Sequence, residues 1–256
     1  MKVFKSFAIL SIVFTTSALG VSITHASEIA PALPSHAEGV KELDKQLYTG
    51  KDAVKVSDQN MAVFTKAAED LARQMPDAGL KVGAKAPDFA LKNPNGKTIK
   101  LSTLLKKGPI VLTFYRGAWC PYCNLQMHQL RTSLPQFKRY GGTIVAITPQ
   151  SPDKSKEQFN KEGYPFEVLS DLDYAVIKSY NLYWEVPPEL DASYKDAFGL
   201  DIASFNGKGR LGLPIPGTFV IDKTGVVRAA FADTDYKKRM EPADILAELK
   251  QLRGEQ

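Results

Sequence analysis

The chain has 256 residues, 44% of them apolar and 24% charged, with a formal net charge of +5. That length buries a real core and describes one to two globular domains. The mild positive balance, with no run of basic residues, argues against a nucleic-acid binder.

Residues 1–26 carry the three-part pattern of a secretory signal peptide. Lys2 and Lys5 come first, then an uncharged run of apolar or small residues from Phe7 to Gly20, then Thr24-His25-Ala26 as a small-residue cleavage site. An uncleaved membrane anchor is the alternative, but the apolar run is shorter than the ~20 residues a spanning helix needs. A second possible cut follows Gly20. The protein is therefore expected to be exported, periplasmic or extracellular, with cleavage after Ala26 and no stable membrane insertion afterwards. Loss of Lys2 and Lys5 would lower the charge to +3.

Residues 27–79 read as an N-terminal helical extension. A short helix is expected around Val40 to Leu47, with His36 ahead of it in solvent. Asp58 is a candidate cap for a firmer helix, in which Met61, Phe64, Ala67, Ala68, Leu71 and Met75 recur at helical spacing until Pro76 ends it. That apolar stripe needs a partner, so the helix is expected to pack on the main domain.

The main domain, residues 80–256, opens with a strand at Asp88–Leu91. A turn follows at Asn93-Pro94-Asn95-Gly96, then a partner strand at Thr98–Leu101, with Ser102 capping a helical turn through Leu105. Residues 109–115 form a continuous apolar run, as in a strand buried on both faces. A helix follows from Asn124, with Met127, Leu130, Leu134 and Phe137 on one face and Pro135 kinking it or ending its regular part. Strands are then expected at 143–148 and 166–169, and helices at 153–162 and 175–180. Residues 183–212 have no clean period and read as an insertion lying over the site. Residues 218–222 and 226–232 form a hairpin about Lys223-Thr224-Gly225, and Pro242 opens a last helix with Ile245, Leu246, Leu249 and Leu252 inward. Strands alternating with helices, closed by a hairpin and helix, give an α/β class with a central mixed sheet.

The chain has two cysteines, in Trp119-Cys120-Pro121-Tyr122-Cys123, between a strand and a helix. A ring of that size constrains an unfolded chain little, so the pair reads as a two-electron redox couple and not as a staple. Backbone N–H groups and the positive end of the helix dipole at such a junction favour a thiolate. A c-type haem site needs histidine after the second cysteine, where Asn124 stands. Structural zinc needs further ligands at sensible spacing, and the histidines are scattered. No metal or cofactor is expected.

From about residue 80 to 250 the chain resembles the peroxiredoxin-like branch of the alkyl hydroperoxide reductase and thiol-specific antioxidant family. The matching stretches are F-Y-R-G-A-W-C-P-Y-C-N at 114–124, V-L-S-D at 168–171, L-P-I-P-G-T-F-V-I-D at 213–222 and D-Y-K-K-R-M-E-P at 235–242. The resemblance implies a thioredoxin-like fold and a thiol-dependent peroxidase. Its disulfide would be re-reduced by an outside dithiol, either a thioredoxin-like protein or a membrane relay.

Two patterns overlap at the cysteines. The thioredoxin pattern W-C-x-x-C makes Cys120 the nucleophile, acting on protein disulfides. The peroxiredoxin pattern P-x-x-x-T-x-x-C places its threonine on Cys120, its peroxidatic cysteine on Cys123 and its proline on Arg116. The preferred assignment is Cys123 as peroxidatic and Cys120 as resolving, the two forming the redox disulfide. Exported thiol–disulfide oxidoreductase activity is the alternative.

The arginine that peroxiredoxins keep near the late strand is missing. Pro214-Ile215-Pro216-Gly217 instead resembles the thioredoxin loop, with Pro216 as its candidate cis-proline. Arg116, close before the pair, is the candidate for lowering a thiol pKa or binding a peroxide oxygen. Trp119, Tyr122, Pro216 and Thr218 are candidate substrate contacts. Arg239 is a second arginine that could turn inward, with a helix-entry salt bridge the preferred expectation. His128 should point away from both thiols.

Overall fold

The computed structural model describes residues 31–51 and 53–254. The signal-peptide pattern of residues 1–26 lies outside them. From Ala32 onward the chain forms one compact unit. No helix among the described residues is long and apolar enough to cross a membrane.

Two helices precede the sheet, α1 (His36–Tyr48) and α2 (Asp58–Gln74). The cap of α2 is Ser57, whose hydroxyl accepts from the Asn60 N–H. Asp58 is the first helical residue, where its charge complements the helix dipole. β1 (Ala90–Lys92) and β2 (Thr98–Lys100) pair antiparallel across the Asn93–Gly96 turn. The Asn93 side chain accepts from the N–H groups of Asn95 and Lys97, and Gly96 takes φ +78°. In α3 (Leu101–Leu105) the expected cap at Ser102 is replaced from a distance. Ser102 lies inside the helix, and its N–H donates to the Asp88 carboxylate at 2.9 Å.

The core elements are β3 (Ile110–Phe114), α4 (Pro121–Arg139), β4 (Thr143–Thr148), α5 (Pro152–Glu162), β5 (Glu167–Ser170) and α6 (Ala175–Ser179). The helix α4 runs through Pro135 to Arg139. The proline removes one donor but does not stop the helix, because Leu130, Leu134 and Phe137 are buried along one side of it. The region 183–212 contains β6 (Tyr183–Glu185), α7 (Pro188–Phe198) and α8 (Ile202–Asn206), and β6 pairs with β7 (Gly212–Pro214) as a separate ribbon. The chain closes with β8 (Gly217–Ile221), β9 (Val227–Ala232) and α9 (Pro242–Arg253).

The main sheet has the order β2-β1-β5-β4-β3-β8-β9. β3, β4 and β5 run parallel, while β8 lies antiparallel to β3 and β9 to β8. This is a mixed sheet of thioredoxin-like type with helices on both faces.

Alternation along the central strand separates two cores. Ile110, Leu112 and Phe114 face one cluster with Leu101, Ile177 and Tyr180. Val111 and Tyr115 face the other, with Met127, Leu130 and Phe137 of α4 and Ile245 and Leu249 of α9. A third cluster joins α2 to the region 183–214 through Ala67, Val186, Leu190 and Leu213. The stripe on α2 thus packs on the insertion, which is why Met61 remains 49% exposed.

The register places the site. Phe114 pairs with Gly217 and Thr113 with Thr218. Because β8 runs antiparallel to β3, the loop before β8 lies beside the loop after β3, where the cysteines stand.

Candidate active site

The loop between β3 and α4 is held by side-chain amides. Gln150 accepts from the Ala118 N–H at 2.8 Å, and Asn124 donates to the Ala118 carbonyl at 2.7 Å. Gln158 donates to Asn124 and accepts from both the Gln150 amide and the Tyr115 hydroxyl. Gly117 is required by close approach, since a Cβ there would lie 2.5 Å from Trp119 Nε1.

Cys120 is the N-cap of α4, Pro121 occupies the first turn, and Cys123 follows one turn in. Both cysteines are free thiols and fully buried. Burial opposes charge at Cys123. The hydrogen bond from Cys120, the Arg239 guanidinium, the backbone N–H of Arg116 and the Arg116 charge outweigh it and bring the thiol well below its usual value. Burial, with donation to Cys123, pushes the Cys120 thiol up.

Arg239 is the residue that the sequence reading misplaced. It makes no helix-entry salt bridge but turns inward, 5% exposed, with Nη2 3.7 Å from Cys123 Sγ. Its Nε donates to Gln126 Oε1 at 3.0 Å, and its Nη1 to the Lys238 carbonyl at 2.7 Å. Gln126 in turn donates to Thr218 Oγ1 at 3.1 Å, and Thr218 meets Thr113 across the β3–β8 pair at 3.0 Å. Thr218 therefore reaches the site through Gln126 and Arg239.

Arg116 is also buried. Its guanidinium sits 4.6 Å from the Tyr236 ring centroid, 5.0 Å from Trp119 and 5.9 Å from Tyr194, and it donates to the Tyr194 hydroxyl at 2.9 Å. Among the described residues, neither arginine forms an ion pair with a carboxylate, so their charge is available to sulfur and to an incoming anion. Tyr194 comes from α7, which confirms that the insertion covers the site. Tyr122 donates to Asp44 of α1 and packs edge-on against Tyr236.

Two cavities flank the Arg116 cage. One, of about 410 Å3, is lined by Cys120, Trp119, Tyr122, Tyr48, Phe205 and Tyr236 among others. The other, of about 390 Å3, is lined by Pro216, Phe64, Leu71, Trp184 and Ile215 and shares Arg116, Tyr194 and Tyr236. Cys120 and not Cys123 faces the open volume. Pro216 lines the same cavity as Arg116. His128 points away, to Glu162 at 2.7 Å, as its spacing predicts. His36 is not solvated; it is 2% exposed, with ring nitrogens 2.8 Å from Gln129 Oε1 and 2.9 Å from the Lys237 carbonyl.

Sequence reasoning missed Arg239 as a sulfur ligand, along with Gln126, Tyr194 and Tyr236. Residues 235–242 contain two of these four, but no periodicity in that stretch shows which side chain turns in.

A buried C-x-x-C at a strand-to-helix junction, with a proline loop alongside and two buried arginines, defines a thiol-redox protein of thioredoxin-like fold. Residues 82–230 match the AhpC/TSA family, and the chain belongs to that family. It is similar to the chloroplastic peroxiredoxin Q of Populus jackii, with 32% identity over 154 residues, 60% of this chain and 61% of that protein. It is also similar to alkyl hydroperoxide reductase E of Mycobacterium tuberculosis, with 29% identity over 151 residues, 59% of this chain and 84% of that one. Among solved structures, peroxidoxin BcpB from Mycobacterium tuberculosis superposes with a TM-score of 0.53 at 23% identity, covering 67% of this chain and 97% of that chain. A PrxQ mutant from Xylella fastidiosa gives 0.52 at 18% identity, with 68% and 98% coverage. These two likenesses speak for the fold.

Proposed function

We propose that the protein is a thiol-dependent peroxidase in which Cys123 attacks the peroxide and Cys120 resolves. The observation that carries this reading is the Arg239 guanidinium on Cys123 Sγ, at the first turn of a helix. It supplies from residue 239 the positive charge that the segment before β8 lacks. Family membership and the similarity to a peroxiredoxin Q and an alkyl hydroperoxide reductase point the same way.

The Cys123 thiolate attacks the terminal oxygen of ROOH and the O–O bond breaks. Sulfur is oxidised to a sulfenic acid, and the leaving alkoxide takes the Cys120 proton to become ROH. Arg116 and Arg239 stabilise the charge that develops on oxygen. The Cys120 thiolate then displaces hydroxide from the sulfenic sulfur, closing the disulfide, and the hydroxide takes a proton from solvent to become water. An outside dithiol supplies two electrons by attacking Cys120, the sulfur that faces the cavity. A thioredoxin-like protein or a membrane relay would serve as donor. Export rests on the pattern of residues 1–26 alone and would make a cytosolic thioredoxin an indirect donor. A native N-terminus beginning at Ser27 would support export, and an intact Met1 would count against it.

Mixing reduced protein with stoichiometric peroxide and following tryptophan fluorescence tests the activity. The expected result is a rate far above that of a free thiol, lost in Cys123→Ser. A rate no better than free cysteine would refute the peroxidase. One observation favours the second reading, a protein-disulfide oxidoreductase: Cys120 is the thiol lining the cavity. Its raised pKa weakens it as a nucleophile.

A further inference from the structure

The family match ends at residue 230, yet the guanidinium on Cys123 comes from residue 239. The segment carrying it, residues 235–241, has no regular structure to hold it in place. What fixes it is α1, which also lies outside the match.

Polar contacts join α1 to that segment. The Glu241 carboxylate accepts from the first amides of α1, His36 N at 2.6 Å and Ala37 N at 2.8 Å. Glu241 is at the same time the N-cap of α9, so two helix starts meet at one residue. The His36 ring spans from the Lys237 carbonyl to Gln129 on α4. Lys237 Nζ lies 3.0 Å from Asp44 Oδ1, and Asp44 also accepts from Tyr122, the residue before Cys123. The helix α1 itself seats tightly on α4. A Cβ at Gly39 would fall 2.8 Å from Gln129 Nε2 and 3.1 Å from Leu125, so glycine allows that approach.

We propose that α1 is a clamp on the active site: it holds the 235–241 segment from outside and so keeps the Arg239 guanidinium on the Cys123 sulfur, with Glu241 and Asp44 as positioning residues. Neither touches a thiol. Glu241 stands two residues from Arg239 and fixes the backbone beyond it. Asp44 fixes the backbone before it through Lys237, and the first turn of α4 through Tyr122. The N-terminal extension then has a task in the chemistry, and displacing α1 would weaken the thiolate with both cysteines still in place.

The inference rests on Cys123 as the attacking thiol, but its test needs no peroxide. In the full-length protein carrying Cys120→Ser, the remaining thiol is titrated by ultraviolet absorbance of the thiolate. The comparison adds Glu241→Gln, Asp44→Asn or Gly39→Leu, the last to wedge α1 from α4. The clamp predicts that the Cys123 titration moves up by about one pH unit in each, as expected when an opposite charge withdraws. The acid limb of the peroxide-rate profile should move with it, and far-ultraviolet circular dichroism should keep its sheet signal. If Glu241→Gln fails to fold, Asp44→Asn and Gly39→Leu carry the test alone. Lower melting temperatures with thiol titrations that superimpose on the parent would overturn the clamp and leave α1 a structural brace. A protein that showed the titration shift but reduced no peroxide would refute the peroxidase reading and leave the clamp standing.

Discussion

The β3–α4 junction and the 235–241 segment both reach the Cys123 sulfur, by opposite means. The junction is local. Its strand, loop and helix are contiguous, and the amide network of Gln150, Asn124 and Gln158 fixes it. The second region arrives from more than a hundred residues away and is held from the α1 side by Glu241, His36 and Asp44. The junction supplies the thiol and the helix dipole; the distant segment supplies a point charge. A short motif can therefore specify a thiol's position while the rest of the fold sets its acidity.

Variants of the two regions test that division. The largest effect belongs to the junction. Cys123→Ser should reduce peroxide consumption to the buffer rate, whereas Cys120→Ser should complete one turnover and then stall as a sulfenic acid, read by rapid mixing and mass spectrometry. Next comes the distant charge. Arg239→Gln should slow the peroxide step by about 100-fold, the scale of losing one donor at a developing oxyanion, and raise the Cys123 pKa. An Arg239→Gln protein with unchanged rate and titration would dissolve the comparison.

The pH profile follows from the same shift. The Cys123 thiol is lowered on folding, so its thiolate is present through neutrality and disappears only as pH falls through the lowered value. A free cysteine would lose it below about 8.5. The peroxide rate should be flat from about pH 9 down to 7 and drop only in acid. By the same sign, any stability this shift lends the reduced protein is full at alkaline pH and fades on acidification. A rate that climbs steadily between about pH 7 and 9 would mean an ordinary thiol. The smallest effect is expected from the Arg116 cage. Tyr194→Phe removes one hydrogen bond but keeps the ring, and should change the rate only several-fold, in line with about 1 kcal/mol.

What the sequence discloses follows the same division. The continuous apolar run at 109–115, the strand at 143–148 and the helix at 153–162 are legible, because periodicity and burial act within a few residues. The cysteine pair and its strand-to-helix setting are legible for the same reason. Ser57 replacing Asp58 as a cap is a displacement of one residue, and two adjacent good caps cannot be ranked by type alone. His36 and Arg239 are different. Both are polar residues in unperiodic stretches, where exposure is the ordinary outcome. Each is buried only because a distant segment offers partners, Lys237 and Gln129 for one, Cys123 and Gln126 for the other. The insertion at 183–212 hides its role likewise, since Tyr194 matters only once α7 packs beside Arg116.

The assignment of roles within the pair is tested most directly by locating the first oxidised sulfur. Cys120→Ser and Cys123→Ser proteins would each be treated with one equivalent of peroxide in the presence of a sulfenic-acid trap and digested for mass spectrometry. The expected result is a rapidly formed adduct on Cys123 in the first protein, with little on Cys120 in the second. A fast adduct on Cys120, with Cys123 left reduced, would contradict it.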